Sequence, residues 1–162
     1  VFRTLRQVVE AHDDVEVIYP VHLSPAVQEA AKEILSNHPQ IHLIEPLDVV
    51  DFHNIAARSY FIMSDSGGVQ EEAPSLGKPV LVLRDTTERP EGVTAGILKL
   101  VGTESENIRE AMETLLTDET VYHQMSQAGN PYGDGRASER IVEAIAHYFG
   151  YAARPKNFVI GE

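Results

Sequence analysis

The sequence predicts an α/β protein built on a doubly wound parallel sheet. Short apolar segments alternate along its 162 residues with longer segments whose apolar residues recur at helical spacing. This pattern is typical of strand–helix–strand units in a parallel sheet covered on both faces. Hydrophobic residues make up 43% of the chain and charged residues 23%, a balance that suits a globular domain with a buried core. We therefore expect one domain with five strands.

Local signals place the individual elements. Each predicted strand is a short apolar run bounded by proline, glycine or polar residues, and the five runs are residues 15–20, 41–44, 60–63, 79–83 and 97–101. Ser24 and Pro25 are good N-cap and first-turn residues for a helix that stops at Asn37. Further helices are predicted for the first dozen residues and for residues 48–59, 67–76, 108–116 and 138–149.

The loop after the third strand is the first of two that suggest a ligand site, since ligands of open parallel sheets bind beyond the carboxyl ends of the strands. The chain passes here from strand to helix through Ser66, Gly67 and Gly68. Unpaired backbone N–H groups and the absence of a Cβ suit a phosphate or diphosphate. The alternative is that Asp65 or Ser66 only caps the helix and the glycines permit a tight turn. The loop is neither a Walker loop nor a GxGxxG motif.

Two carboxylates, Glu71 and Glu72, follow in the first turns of the next helix. The helix dipole favours carboxylates at this position, which is a sufficient structural explanation. A carboxylate one or two turns from a bound phosphate can also accept hydrogen bonds from a ribose diol. Ribose recognition would therefore account for acidic residues beside an anion site.

The second loop, residues 84–92, contains two arginines in a chain with only 13 lysines and arginines. A planar guanidinium can bind a phosphate through two parallel hydrogen bonds. Because both loops would end adjacent strands, we expect them to form a nucleotide cradle. The alternative is a solvated loop in which Arg84 pairs with Asp85 and Arg89 with Glu91.

Charge and composition exclude several classes of protein. The net charge of −12 argues against a general nucleic-acid-binding surface or a polybasic membrane contact, and no apolar run approaches the roughly 20 residues of a membrane span. The chain has no cysteine, which excludes disulfides and cysteine-ligated zinc and favours the cytoplasm. His38 and His42 are separated by Pro39 and the start of a strand, so no metal site is predicted. The start lacks a signal peptide and is not a Met, so we expect a piece of a longer protein.

Four sequence blocks resemble one family. They are PVHLSP at 20–25, SDSGGVQEEAPSLGKPVLVLRDTTERPEG at 64–92, AGILKLVGT at 95–103 and NPYGDGRAS at 130–138, and they are similar to the non-hydrolysing UDP-N-acetylglucosamine 2-epimerases. The resemblance is to the C-terminal half of that family, whose members have two Rossmann-like domains in a glycosyltransferase-B-like (GT-B) architecture, with the nucleotide in the cleft between them. It implies a UDP-binding domain over residues 1–150 and a C-terminal tail over residues 151–162.

The resemblance also implies an activity and a set of binding residues. Family members interconvert UDP-GlcNAc and UDP-ManNAc by eliminating UDP to give a glycal and re-adding it with the other configuration at C2; we expect no cofactor. The matching positions are Phe52 for the uracil, Glu72 for the ribose, and Ser66, Gly67, Gly68 and Arg89 for the diphosphate. Without the resemblance, Phe52 would be interpreted as a core residue.

The resemblance places the family's catalytic acids in the N-terminal domain and its catalytic histidine upstream of Val1. We therefore expect this chain to bind UDP without catalysing the reaction. His22 matches a residue of the regulatory UDP-GlcNAc site of bacterial members, whereas its residue type alone favours a structural hydrogen bond. The implied partners are UDP-GlcNAc or UDP, the N-terminal domain, and a second copy in a homodimer of the intact protein. One alternative is the UDP-binding half of a GT-B glycosyltransferase, but the TERPE sequence at 87–91 argues against it. The other alternative is a non-catalytic α/β binding domain.

Overall fold

The computed structural model describes residues 1–159, and all five predicted strands are present among them. The strands are β1 Val17–Pro20, β2 Ile41–Ile44, β3 Ile62–Ser64, β4 Val80–Val82 and β5 Leu98–Leu100. The helices of the same residues are α1 Phe2–Ala11, α2 Pro25–Leu35, α3 Val49–Arg58, α4 Gly67–Glu72, α5 Pro90–Ala95, α6 Ser105–Thr117, α7 Glu119–Ser126 and α8 Ala137–Tyr148.

The strands hydrogen-bond in two parallel groups. β1 pairs with β2, with Val17 opposite Ile41. In the second group β4 lies between β3 and β5, so that Leu81 is opposite Met63 on one side and Lys99 on the other. Within residues 1–159 no ladder joins the two groups, and a shared core holds them together.

Helices cover both faces of the three-stranded group. Leu81 belongs to a buried cluster with side chains of α1 and α6, whereas its neighbours Val80 and Val82 pack on the opposite face with Ala73 and Leu98. This alternation follows from the period of two along a strand. The first cluster also includes partly buried side chains of β1, β2 and β3. The predicted doubly wound α/β class is confirmed.

The helix predicted over residues 67–76 is shorter than expected. α4 ends at Glu72, and one turn of 3-10 helix continues from Ala73 to Leu76. Pro74 explains the change, because proline has no N–H to donate and its ring crowds the preceding turn.

Sequence reasoning missed two helices. The second half of the predicted loop 84–92 begins α5, which has Pro90 at its first position and ends at Gly96 with φ of 88°; both are standard helix boundary signals. α7 begins immediately after α6 because the Asp118 carboxylate accepts hydrogen bonds from two of its first N–H groups.

Candidate functional site

The two candidate loops leave the same edge of the sheet. Ser64 at the end of β3 lies opposite Val82 at the end of β4, and the Leu83 N–H donates to the Ser64 carbonyl at 3.1 Å. Because the strands are parallel neighbours, the residues that follow them emerge side by side. The prediction that both loops end adjacent strands is confirmed.

The loop between β3 and α4 carries no side-chain cap from its N-cap residue. Ser66 stands just before the helix, but its hydroxyl makes no capping hydrogen bond. Its backbone N–H donates instead to Ser64 Oγ at 3.1 Å. The capping role considered for Ser66 is therefore wrong.

Gly68 has room for a side chain. A Cβ built on it would lie 3.6 Å from Glu72 Oε1 and 3.8 Å from Ser66 Oγ, which are ordinary van der Waals distances. Gly67 and Gly68 are also absent from the glycines with positive φ. Neither packing nor backbone conformation requires glycine at position 68, whereas close approach of a ligand to the backbone would.

The Glu88 carboxylate covers Gly67. A Cβ built on Gly67 would lie 2.6 Å from Glu88 Oε1, and Glu88 Oε2 accepts a hydrogen bond from Arg84 Nη1 at 2.8 Å. The backbone N–H of Glu88, and then Arg84, hold the pKa of this carboxyl below its ordinary value. An anion approaching Gly67 must therefore displace an ionised, exposed side chain.

A buried glutamine joins the two loops. Gln70 on α4 is fully buried; its Oε1 accepts a hydrogen bond from Thr87 Oγ1 at 2.5 Å, and its Nε2 donates to the Ser66 carbonyl at 3.2 Å. Thr87 Oγ1 in turn accepts from the Arg89 backbone N–H at 3.0 Å. The position of Arg89 thus depends on α4 as well as on its own loop.

The arginines pair with carboxylates, but not with those considered above. Arg89 Nε is enclosed and forms an ion pair with Glu71 without the geometry of a hydrogen bond. Arg84 pairs with Glu88. The interpretation that paired Arg84 with Asp85 and Arg89 with Glu91 is wrong. The bent loop brings Glu88 to Arg84, and the packing of α4 beside the loop brings Glu71 to Arg89.

Tyr132 contacts the second loop through its hydroxyl group. Its hydroxyl donates to the Arg89 carbonyl at 3.4 Å, and burial is the main cause that raises its pKa. Tyr132 belongs to the NPYGDGRAS block. That block therefore contacts the loop that carries Arg89.

Phe52 on α3 precedes a residue that contacts Glu72 at the end of α4. Phe52 is half-buried on α3 and belongs to neither core cluster, so its interpretation as a core residue is wrong. The next residue, His53, lies with its Nε2 at 3.0 Å from Glu72 Oε2. This contact brings the end of α4 close to the residue beside Phe52.

His22 lies two residues beyond the end of β1 and is exposed. Its Nδ1 accepts the backbone N–H of Ser24 at 3.1 Å, which is the structural hydrogen bond expected from the residue type. Burial, and then the charge of Asp65, raise the pKa of Tyr19 on β1. His22 itself makes no polar contact with the two loops among the described residues.

Sequence reasoning missed Thr87, His53 and the buried state of Gln70. Gln70 carried a signal, because it shares a helical face with Ala73 and Pro74, both buried, and a polar residue on such a face needs a partner. Thr87 and His53 carried no such sequence signal, since their partners are 17 and 19 positions away.

Within residues 1–159 no group of three or more His, Cys, Asp or Glu is arranged to hold a metal ion. None of the helices in the same residues is long and apolar enough to span a membrane.

Comparison with known proteins gives one family. The family model of UDP-N-acetylglucosamine 2-epimerase matches residues 1–146. The UDP-N-acetylglucosamine 2-epimerase of Bacillus subtilis is 63% identical over 150 residues, which are 93% of this chain and 40% of the relative. The chain thus spans about 40% of the length of the curated relatives that it matches.

Solved structures agree. S. aureus MnaA, solved with UDP, has a TM-score of 0.91 and 55% identity, with 98% of this chain and 44% of that chain covered. The UDP-GlcNAc 2-epimerase from Neisseria meningitidis, bound to UDP-GlcNAc, has a TM-score of 0.82 and 45% identity, with 90% and 40% covered. With a family model over nearly its whole length, the chain belongs to the UDP-N-acetylglucosamine 2-epimerase family.

Proposed function

We propose that this chain is the UDP-binding, C-terminal part of a UDP-GlcNAc 2-epimerase. The observation that carries the proposal is the side-by-side arrangement of the Ser66–Gly68 and Arg89 loops at one sheet edge, joined through Gln70 and Thr87. Relatives solved with UDP and with UDP-GlcNAc support it. In the full-length enzyme the reaction is the interconversion of UDP-GlcNAc and UDP-ManNAc by elimination and re-addition of UDP.

The diphosphate is assigned to Ser66, Gly67, Gly68 and Arg89. Gly68 leaves the backbone open to a ligand, whereas Gly67 becomes accessible only when the Glu88 carboxylate moves away. The Arg89 guanidinium supplies the opposite charge. In the free protein Arg89 is paired with Glu71, so the diphosphate competes with a carboxylate for the same cation.

The nucleoside is assigned to the α3–α4 side of these loops. The Phe52 ring, which is not used in either core cluster, supplies an aromatic surface for the uracil. Glu72 supplies carboxylate oxygens for the ribose hydroxyls. The order Phe52, Glu72, Gly68 along the site then matches the order uracil, ribose, diphosphate along UDP.

The catalytic acid and base groups are assigned to the part of the enzyme outside this chain, in the N-terminal domain of a GT-B architecture. Without that part the bound ligand is open to solvent. The diphosphate must then also compete with the Glu71 carboxylate for Arg89. We expect a dissociation constant for UDP from upper micromolar to about millimolar and no epimerase activity. We assign residues 1–150 to the UDP-binding domain and residues 151–162 to a tail. The tail residues that the structure describes, 151–159, contain no helix or strand. Residues 160–162 lie outside the described residues.

The exposed face of α8 supports a missing partner within the same polypeptide. Ile141, Val142, Ile145, Tyr148 and Phe149 recur at helical spacing and are each at least 55% exposed, and α8 has no buried residue. Exposed apolar faces of this kind mark interaction surfaces. Because the curated relatives are more than twice as long as this chain, we assign the face to the remaining part of the enzyme.

The intact enzyme is proposed to be a homodimer in the cytoplasm, with a regulatory UDP-GlcNAc site that includes His22.

A UDP titration of the 162-residue chain followed by NMR tests the binding site. We expect shifts of the amides of Ser66 to Gly68, Glu72 and Arg89, and weaker effects with ADP as the control nucleotide. No shift at millimolar UDP would contradict UDP binding and favour a non-catalytic domain of another kind. Incubation with UDP-GlcNAc in deuterated water tests the assignment of catalysis: UDP-ManNAc or deuterium at C2 would show that the acid–base groups lie in this chain.

Ile145→Asp tests the assignment of the α8 face. In the 162-residue chain the substitution is expected to leave the unfolding midpoint unchanged, because the side chain is exposed. In the full-length enzyme it is expected to lower the midpoint. Loss of self-association of the short chain would instead assign the face to contacts between copies, and sedimentation velocity distinguishes the two.

A further inference from the structure

His53 holds one oxygen of the carboxylate that we assign to the ribose. Its Nε2 lies 3.0 Å from Glu72 Oε2, and the contact joins α3 to α4. A carboxylate oxygen can only accept a hydrogen bond, so the proton is on Nε2 and histidine is the donor. The remaining lone pairs of Glu72 are left for other donors.

The other oxygen of Glu72 points toward the diphosphate loop. Glu72 Oε1 is 3.6 Å from a Cβ built on Gly68, whereas Oε2 is the atom bound by His53. The two oxygens therefore face different neighbours, one the histidine and one the proposed ligand. His53 also directly follows Phe52 on α3, which places it between the proposed uracil and ribose contacts.

We propose that His53 is a positioning residue that orients Glu72 to accept the ribose hydroxyls, an inference that rests on the proposed function. The Glu72 side chain is about half exposed and would otherwise sample several rotamers. Fixing one rotamer before the ligand arrives reduces the ordering cost of binding. His53 thereby contributes to the selection of ribonucleotides without contacting the sugar.

The chain offers a matched control. His42 on β2 donates to Glu16 with an Nε2–Oε2 distance of 3.2 Å, and its side-chain exposure of 45% is similar to the 40% of His53. The Glu16 side chain belongs to neither candidate loop. Exposed pairs of this type contribute little to folding stability, so neither histidine is expected to matter for the fold.

The test compares UDP with 2′,3′-dideoxy-UDP on the wild-type chain and three variants. Wild type is expected to bind UDP more tightly than the dideoxy analogue. His53→Ala is expected to weaken UDP binding about fivefold, the size of one ordinary hydrogen bond, and to leave binding of the analogue nearly unchanged. His53→Gln keeps an N–H donor near the Nε2 position and should retain most of the preference. His42→Ala should change neither constant.

Each outcome has one meaning. A drop of the UDP to analogue preference in His53→Ala, with rescue by His53→Gln, supports the inference. Equal weakening for both ligands, or no weakening, would overturn it and leave UDP binding intact. Equal binding of both ligands by wild type would remove the ribose role of Glu72, and with it that of His53. Absence of UDP binding by wild type would instead overturn the proposed function itself.

Discussion

Replacing Gln70 by methionine tests whether the two loops depend on one buried side chain. Methionine has a similar shape but removes two hydrogen bonds, from Thr87 Oγ1 at 2.5 Å and to the Ser66 carbonyl at 3.2 Å. The Ser66 carbonyl keeps the backbone N–H of residue 70, whereas the Thr87 hydroxyl loses its acceptor. Thr87 is only half-buried, so water can replace part of the lost contact. An ordinary hydrogen bond contributes about 0.5–1.5 kcal/mol, and we therefore expect Gln70→Met to lower the free energy of unfolding by about 1–2 kcal/mol.

Urea denaturation measures this loss through the midpoint and the slope. Gln28→Met is the control, because Gln28 is exposed on α2, and surface substitutions usually stay within about 0.5 kcal/mol. A double-mutant cycle with Thr87→Val isolates the contact. The loss of unfolding free energy in the double variant should be smaller than the sum of the losses in the two single variants, because replacing both partners by apolar groups removes the unpaired donor.

The same variant should also weaken UDP binding, because Thr87 Oγ1 holds the Arg89 backbone N–H. The reasoning would be refuted if Gln70→Met were as stable as Gln28→Met, or if the cycle showed no coupling. Loss of stability with unchanged UDP affinity would retain the structural role of Gln70 and reject its effect on Arg89.

Three further changes test separate parts of the argument. Arg89→Lys keeps the charge but loses the planar guanidinium, which can make two parallel hydrogen bonds to a phosphate. Calorimetry should therefore show the free energy of UDP binding weakened by about 1–2 kcal/mol, with a smaller loss for UMP. Equal losses for UDP and UMP would place the Arg89 contact away from the β-phosphate. Gly68→Val should fold, since a Cβ makes only ordinary contacts there, but should weaken UDP binding by blocking the backbone; unchanged affinity would make the loop a helix start only. Asp134 accepts two hydrogen bonds of 2.7 Å from Arg140, and these chiefly hold its pKa below the ordinary 3.8. Its stabilisation is therefore fully present above pH 3.8 and lost as the pH falls through the lower folded value, and the Asp134 carboxyl carbon should still show the ionised NMR shift at about pH 3; protonation near pH 4 would contradict the pairing.

Local pattern was sufficient for the strands, most helices and the position of the candidate site. Strand and helix periods, with proline and glycine at the boundaries, depend only on residues close in sequence. Adjacent parallel strands then bring their carboxyl ends to one edge, which is why Ser66, Gly68 and Arg89 could be grouped before any coordinates. The short α5 was missed although its Pro90 start and Gly96 end were visible, because six residues show too little periodicity.

Only the tertiary structure decided which side chains pair. Arg89 selects Glu71 over its near neighbour Glu91, because a helix packed beside the loop offers a carboxylate in better position. The Gln70–Thr87 and His53–Glu72 contacts join residues 17 and 19 positions apart, and their distances depend on how α3 and α4 pack against the sheet edge. Such packing is set by the whole core, whose contributions are spread over the chain, whereas a helix or strand signal is confined to a few residues.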